Sequence, residues 1–259
     1  MAAGTARGHD DGMTMIEVGD EKVHTYCAEP SGDCAGGLVL IHEIWGLADH
    51  VIDVADRFAA AGFLVLAPDL LSGVGITPET GGELQRLRSS SDAAERTLAQ
   101  PRMREAMAPT HEPGYAQWAV ASLSAAVDEL AADSRVAGRI AVVGFCFGGT
   151  YAFALAAADD RVKAAVPFYG SPPPPEAVGE IHCPVLAFYG DQDERLMASL
   201  PDLERSMAGV GAQFTAKVYP AVGHAFFNDT IAGTYDAGVA QDAWHRTLAF
   251  LDATLEQSS

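Results

Sequence analysis

Arg139-Ile140-Ala141-Val142-Val143-Gly144-Phe145-Cys146-Phe147-Gly148-Gly149 is the stretch that decides the fold. A β-branched apolar run feeds into a glycine-flanked turn, and small residues from Thr150 to Ala158 follow with helical composition. The pattern G-x-C-x-G marks a strained strand-to-helix turn. The central side chain of such a turn is pushed out beyond the strand end, and the next backbone N–H points at the same spot. Glycines two positions before and after leave room where a Cβ would clash. The turn therefore predicts a thiol presented for attack on a carbonyl carbon.

Working outward, strands and helices alternate. Gly37 to His42, Phe63 to Ala67, Ile140 to Val143, Val162 to Phe168, Val185 to Tyr189 and Phe214 to Tyr219 read as buried strands. Val51, Val54 and Phe58 fall at helical spacing. So do Val120, Leu123, Val127 and Leu130, and then Ala240, Trp244, Leu248 and Leu251 of a closing helix. Near-continuous apolar strands between helices predict an α/β fold: a mostly parallel twisted sheet with helices on both faces. Met15 to Cys27 adds one or two antiparallel edge strands. Residues 1–12 read as a flexible polar N-terminus, and 13–257 as a single domain. Residues 72–114 break the rhythm as a helical lid insertion, helix-compatible from Glu83 to Met107. That insertion carries Arg86, Arg88, Arg96, Arg102 and Arg104, five of the chain's 16 cations. They belong either to a solvated, salt-bridged helix or to a partial lid that offers an arginine to an anionic substrate. Ser171-Pro172-Pro173-Pro174-Pro175 reads as a stiff polyproline spacer.

The 259 residues are 49% hydrophobic and 20% charged, a globular composition long enough for a full core. Acidic residues number 35 against 16 basic, a net charge of −19. This argues against nucleic acid or an anionic membrane surface as partner, since both require a basic face. No apolar run reaches the length of a membrane span. The N-terminus lacks the apolar core of a secretory signal. Cys27, Cys34, Cys146 and Cys183 show neither CxxC nor zinc spacing, so reduced thiols in a cytoplasmic protein are expected.

A thiol at its ordinary pKa is mostly protonated at neutral pH and needs a base. In folds of this kind the chain order is nucleophile, acid, histidine. Gly190-Asp191-Gln192-Asp193 follows the strand that ends at Tyr189; Asp193 fits the G-x-x-D position, with Asp191 the second choice. Tyr219-Pro220-Ala221-Val222-Gly223-His224 follows the last strand, so His224 would take the thiol proton and Asp193 would set its tautomer. Taken singly, each residue has a plainer role: Cys146 a small core residue, Asp193 a helix cap near Met197, His224 a surface loop residue. Their order, each after a strand, decides for the triad. His42-Glu43 lacks the second histidine of H-E-x-x-H, and His182-Cys183 reads as a strand entry, so no metal and no cofactor are expected.

The turn Gly144-Phe145-Cys146-Phe147-Gly148-Gly149, together with His42-Glu43-Ile44-Trp45-Gly46, Phe168-Tyr169-Gly170, Gly190-x-x-Asp193 and Gly223-His224-Ala225-Phe226, resembles the dienelactone hydrolase (carboxymethylenebutenolidase) family of the α/β-hydrolase superfamily. The resemblance spans about Met15 to Leu255. It implies an α/β-hydrolase fold and a triad of Cys146, Asp193 and His224. It also implies a Glu43 that holds the resting thiol and exchanges partners when substrate arrives, and oxyanion-hole amides on Ile44 and Phe147. Trp45 and Tyr169 would line the pocket. A carboxylate beside a thiol disfavours the thiolate, which agrees with a protective role for Glu43. The implied activity is opening of an enol-lactone or ester through a thioester, by a monomer acting on a small molecule.

One position departs from the family pattern. Better-known members grip a substrate carboxylate with two arginines, one of them four residues after the histidine; here that residue is Asn228. An amide does not replace a guanidinium in bidentate carboxylate binding. Arg104, or else Arg102, is the candidate for the other arginine. A general carboxylesterase or thioesterase acting on neutral esters is therefore the alternative. A binding module would have no need of all three triad members, and haloalkane dehalogenation would require aspartate at position 146.

Overall fold

The computed structural model describes residues 12–256. Eight strands form one sheet: β1 (Met13–Val18), β2 (Glu21–Ala28), β3 (Gly36–Ile41), β4 (Phe63–Pro68), β5 (Ile140–Phe145), β6 (Val162–Phe168), β7 (Val185–Gly190) and β8 (Phe214–Tyr219). Their order is β1-β2-β4-β3-β5-β6-β7-β8. β1 and β2 are an antiparallel pair at one edge, and β2 runs antiparallel to β4. Every other pairing is parallel. This is the mostly parallel α/β sheet expected from the apolar runs. In β3, β4 and β5 every residue is buried, as strands covered on both faces must be.

The helices are α1 (Asp49–Ala60), α2 (Pro78–Arg88), α3 (Ala93–Met107), α4 (Tyr115–Ala132), α5 (Phe147–Ala158), α6 (Pro175–Val178), α7 (Glu194–Val210) and α8 (Ala237–Glu256). α1 and α8 meet where Phe58 packs on Trp244, with ring centroids 4.5 Å apart. α4 and α5 pack together over β3, β5 and β6. The helix-compatible stretch from Glu83 to Met107 is broken in two. Ser89-Ser90-Ser91-Asp92 offers side chains that compete for backbone groups, and the Asp92 carboxylate caps α3 by accepting from Ala94 N at 2.7 Å. α2 is capped by Thr77, with Pro78 at its first position. Only Ala99 of α3 is buried. The α2–α3 hairpin is therefore anchored chiefly through α2, which buries Gly81, Leu84 and Leu87 and sets Gly81 against the Trp45 backbone. The proline stretch is extended up to Pro174, and Pro175 opens the short α6.

The parallel register places the carboxyl ends of five strands in a row. Ile41 lies beside Gly144, Phe145 beside Phe168, and Gly190 beside Tyr219. Chain order reverses between β3 and β5, and ligands of open α/β sheets bind at such a reversal. The residues just past the strand ends are Glu43, Cys146, Tyr169, Asp193 and His224. Two glycines make the crossing possible. A Cβ on Gly144 would overlap the Gly148 carbonyl, and one on Gly148 would overlap the carbonyl oxygens of Ile41 and His42. Those neighbours are backbone and cannot swing aside. Gly148→Ala is therefore expected to lower stability by about 1–3 kcal/mol or more, measured by urea unfolding. An unchanged midpoint would show that α5 does not seat this closely on β3.

Candidate active site

Cys146 is the turn residue between β5 and α5. It sits at φ 55° and ψ −110°, a conformation that side-chain-bearing residues rarely adopt. Two bonds hold it there: its own N–H donates to the Phe168 carbonyl at 3.0 Å, and its carbonyl accepts from Thr150 N at 3.1 Å. The half-buried thiol is thus aimed by backbone at a neighbour. That neighbour is His224, whose Nε2 lies 3.0 Å from Sγ. On the far side of the ring, Nδ1 lies 2.6 Å from Asp193 Oδ2. Asp193 does two things at once: Oδ2 faces His224, while Oδ1 caps α7 by accepting from Leu196 N at 3.3 Å. Asp191 is occupied elsewhere, accepting from Ala221 N at 2.8 Å across the turn after β8.

The half-buried His224 responds to these neighbours. Burial pushes its pKa down, but the hydrogen bonds to Asp193 and to the Cys146 sulfur outweigh it and raise the value to about 10. For Asp193, burial raises the pKa and the bond to His224 more than reverses this, leaving a net lowering. The pair is thus biased toward imidazolium beside carboxylate.

His42 is a structural residue. Leu70 N donates to its Nε2 at 3.0 Å, so the ring proton is on Nδ1, which lies 2.7 Å from the Glu43 carbonyl. Burial lowers its pKa and keeps the ring neutral. Its ring also stacks on Phe147, centroids 5.9 Å apart, which ties the first residue of α5 to the turn after β3. The Phe147 N–H has no acceptor within α5, being at the helix start. Among the described residues the Ile44 N–H likewise has no acceptor. Both are available donors next to Cys146 and Glu43 in the chain.

Three expected residues sit differently from the sequence reading. Glu43, 2% exposed, does not hold the thiol. Its Oε1 accepts from the Tyr169 hydroxyl at 3.1 Å and its Oε2 from Asn228 Nδ2, while the thiol faces His224. Tyr169, expected to line the pocket, and Asn228, the substrate-binding candidate at the position of the family's arginine, are each 1% exposed and buried against Glu43. The Tyr169 ring also packs on His224, centroids 4.9 Å apart. Burial, followed by the Glu43 charge, holds the Tyr169 phenol well above its usual range, so it remains a donor. The Asn228 contact was missed from sequence. The available signal was an amide within Ala225-Phe226-Phe227-Asn228, four buried positions in a row, where a polar group must find a partner.

A cavity of about 700 Å³ opens above the thiol. Glu43, Ile44, Trp45, Cys146 and His224 form its floor. Helices α2 and α3 form its roof, with Met103 and Met107 apolar and Arg88, Arg96 and Arg104 cationic. Arg102 is turned to Glu83 at 2.8 Å, and Arg86 lies 3.4 Å from Glu95. Arg104 rather than Arg102 therefore reaches the cavity. Arg96 donates to the carbonyls of Ser90 and Ser91 at 2.7 and 2.8 Å. Among the described residues no helix is long and apolar enough to cross a membrane.

Residues 23–255 match the model of the dienelactone hydrolase family. A protein of Saccharolobus solfataricus, provisionally named a carboxymethylenebutenolidase, is 30% identical over 89% of this chain and 93% of its own length. Protein usf of Aquifex pyrophilus is 31% identical over 92% and 96%. Among solved structures, a provisionally named dienelactone hydrolase from Klebsiella pneumoniae superposes with a TM-score of 0.77 at 25% identity, covering 93% of this chain and 97% of that one.

The raised pKa of His224 has a defined sign. The imidazole keeps its proton through neutral pH and loses it only as pH rises through about 10. In Asp193→Asn the midpoint is expected to fall by at least one unit toward the ordinary histidine value of about 6.5. Titration of the His224 ring protons by NMR measures both. A midpoint left in place by the substitution would mean that Asp193 does not set the charge.

Proposed function

The chain belongs to the dienelactone hydrolase family, and on that premise we propose that it hydrolyses a lactone or ester through Cys146, His224 and Asp193 by way of a thioester. The observation that carries this reading is the unbroken line from Asp193 Oδ2 to His224 Nδ1 at 2.6 Å and from His224 Nε2 to Cys146 Sγ at 3.0 Å. With the His224 imidazole already carrying the proton, the Cys146 sulfur attacks the carbonyl carbon as its thiolate. The carbonyl oxygen gains the charge of the tetrahedral intermediate, and the amides of Ile44 and Phe147 receive it. Collapse breaks the C–O bond. An enolate or alkoxide leaves and takes the proton from His224. Water, deprotonated by the now neutral His224, then attacks the thioester; the acid departs and the thiolate is left beside the reprotonated imidazole. Asp193 holds the imidazole in one tautomer and stabilises its charged form throughout.

The roof supports an anionic substrate. In a chain of net charge −19, three of the insertion's arginines line the cavity above the thiol. A carboxylate on the substrate would meet Arg104 there, aided by Arg88 and Arg96. A dienelactone, an enol-lactone bearing a carboxylate, has this form, and its enolate leaves readily. One observation favours neutral esters instead: Asn228 is buried on Glu43, so no cation faces the cavity from the His224 loop at that position. The acidic surface does not favour nucleic acid or anionic membranes as partners.

Cys146→Ala is expected to abolish turnover while leaving the melting temperature nearly unchanged; retained turnover would remove the triad reading. Arg104→Ala should raise KM for dienelactone about tenfold, the worth of one charge-assisted hydrogen bond, and leave neutral aryl acetates untouched. Equal effects on the two substrates, read from steady-state kinetics, would favour the neutral-ester reading.

A further inference from the structure

Glu43 is a buried carboxylate that shares the floor of the cavity with Cys146. A free carboxylate in that position would compete with His224 for the thiol and disfavour the thiolate. It is not free. The Tyr169 hydroxyl holds Oε1 at 3.1 Å, and Asn228 Nδ2 holds Oε2. The Asn228 amide is itself fixed in direction. Its Oδ1 accepts from Thr230 N at 3.0 Å and from the Thr230 hydroxyl at 2.5 Å. With the carbonyl end so occupied, the NH₂ end is left facing Glu43. Thr230 Oγ1 accepts in turn from Gln85 Nε2 of α2 at 2.5 Å. Donors and acceptors therefore run one way, from Gln85 through Thr230 and Asn228 to Glu43.

We propose that Asn228 is a positioning residue that pins Glu43 against Tyr169, so that the Cys146–His224 pair stands assembled in the free enzyme, before any substrate binds. The inference rests on the triad reading above and adds when the nucleophile is ready. A neutral amide gives an incoming carboxylate no charge to pull on, so the clamp holds equally for charged and uncharged substrates. Nucleophile readiness is thereby separated from substrate recognition, which is left to the arginines of the roof. The cost of this arrangement is a resting thiol open to small electrophiles.

The test is the rate at which iodoacetamide alkylates Cys146 at neutral pH, with the modified residue located by mass spectrometry. Five proteins are compared: the unaltered chain, Asn228→Leu, Tyr169→Phe, and each of these two substitutions combined with Glu43→Gln. Loss of either clamp should slow alkylation at least about tenfold, the effect of a carboxylate raising a neighbouring pKa by one unit or more. Glu43→Gln should restore the rate in both backgrounds, because the harm comes through its charge. Alkylation at the original rate in Asn228→Leu, or a slow rate that Glu43→Gln does not rescue, overturns the proposal. The second outcome would make Asn228 a packing residue only. Should Asn228→Leu fail to fold, Tyr169→Phe and its rescue decide by the same criteria. Retained turnover in Cys146→Ala would instead overturn the triad reading beneath.

Discussion

One close approach governs this molecule: the start of α5 lies against the end of β3 with no side chain between them. Gly148 faces the carbonyls of Ile41 and His42, and Gly144 faces the carbonyl of Gly148. Because the two segments touch backbone to backbone, the turn at Cys146 is forced into its unusual dihedrals. The turn after β3 is brought alongside it. Cys146, Glu43 and the amides of Ile44 and Phe147 then share one small region by virtue of main-chain geometry alone. His224 and Asp193 arrive from β8 and β7 by the same parallel register. The site is therefore a property of the sheet's carboxyl edge more than of any single loop.

Much of this was readable in the amino-acid order, for physical reasons. The apolar runs of β3 to β7 have no polar alternation, which only a sheet covered on both faces tolerates. Glycines two positions either side of Cys146 are demanded by the turn itself. Asp193 and His224 could be placed because each follows a strand whose end is marked by a change from apolar to turn residues. The break between α2 and α3 was not readable in the same way. Helical composition on both sides outweighed the three serines, and the capping role of Asp92 depends on a local bond. Asn228 was misjudged for a different reason: position after the histidine indicates where a backbone runs, not which way an amide turns. Its direction is decided by Thr230 and Glu43, contacts that join distant parts of the chain or depend on a tight local turn.

Charge is distributed with the same economy. The acidic surplus is spread over the chain, while the insertion gathers five arginines. Two of them pair with Glu83 and Glu95, which stiffens the hairpin modestly, since exposed ion pairs contribute little. The other three border the cavity. A field of this shape draws a small anion toward the roof while the bulk of the surface repels it. The floor, by contrast, balances its charges internally: Asp193 against His224, and Glu43 against two neutral donors. The arginines and the Cys146–His224 pair thus occupy opposite walls of one chamber.

The sparse packing of α3 has a consequence of its own. With a single buried residue, Ala99, that helix contributes little to the global core. A segment with few buried contacts opens locally at a free energy well below that of whole-molecule unfolding. Amide protons of α3 should therefore exchange with solvent through excursions that leave the sheet and the Asp193–His224–Cys146 contacts intact. Each such excursion would lift part of the roof and widen the chamber beyond its dimensions at rest.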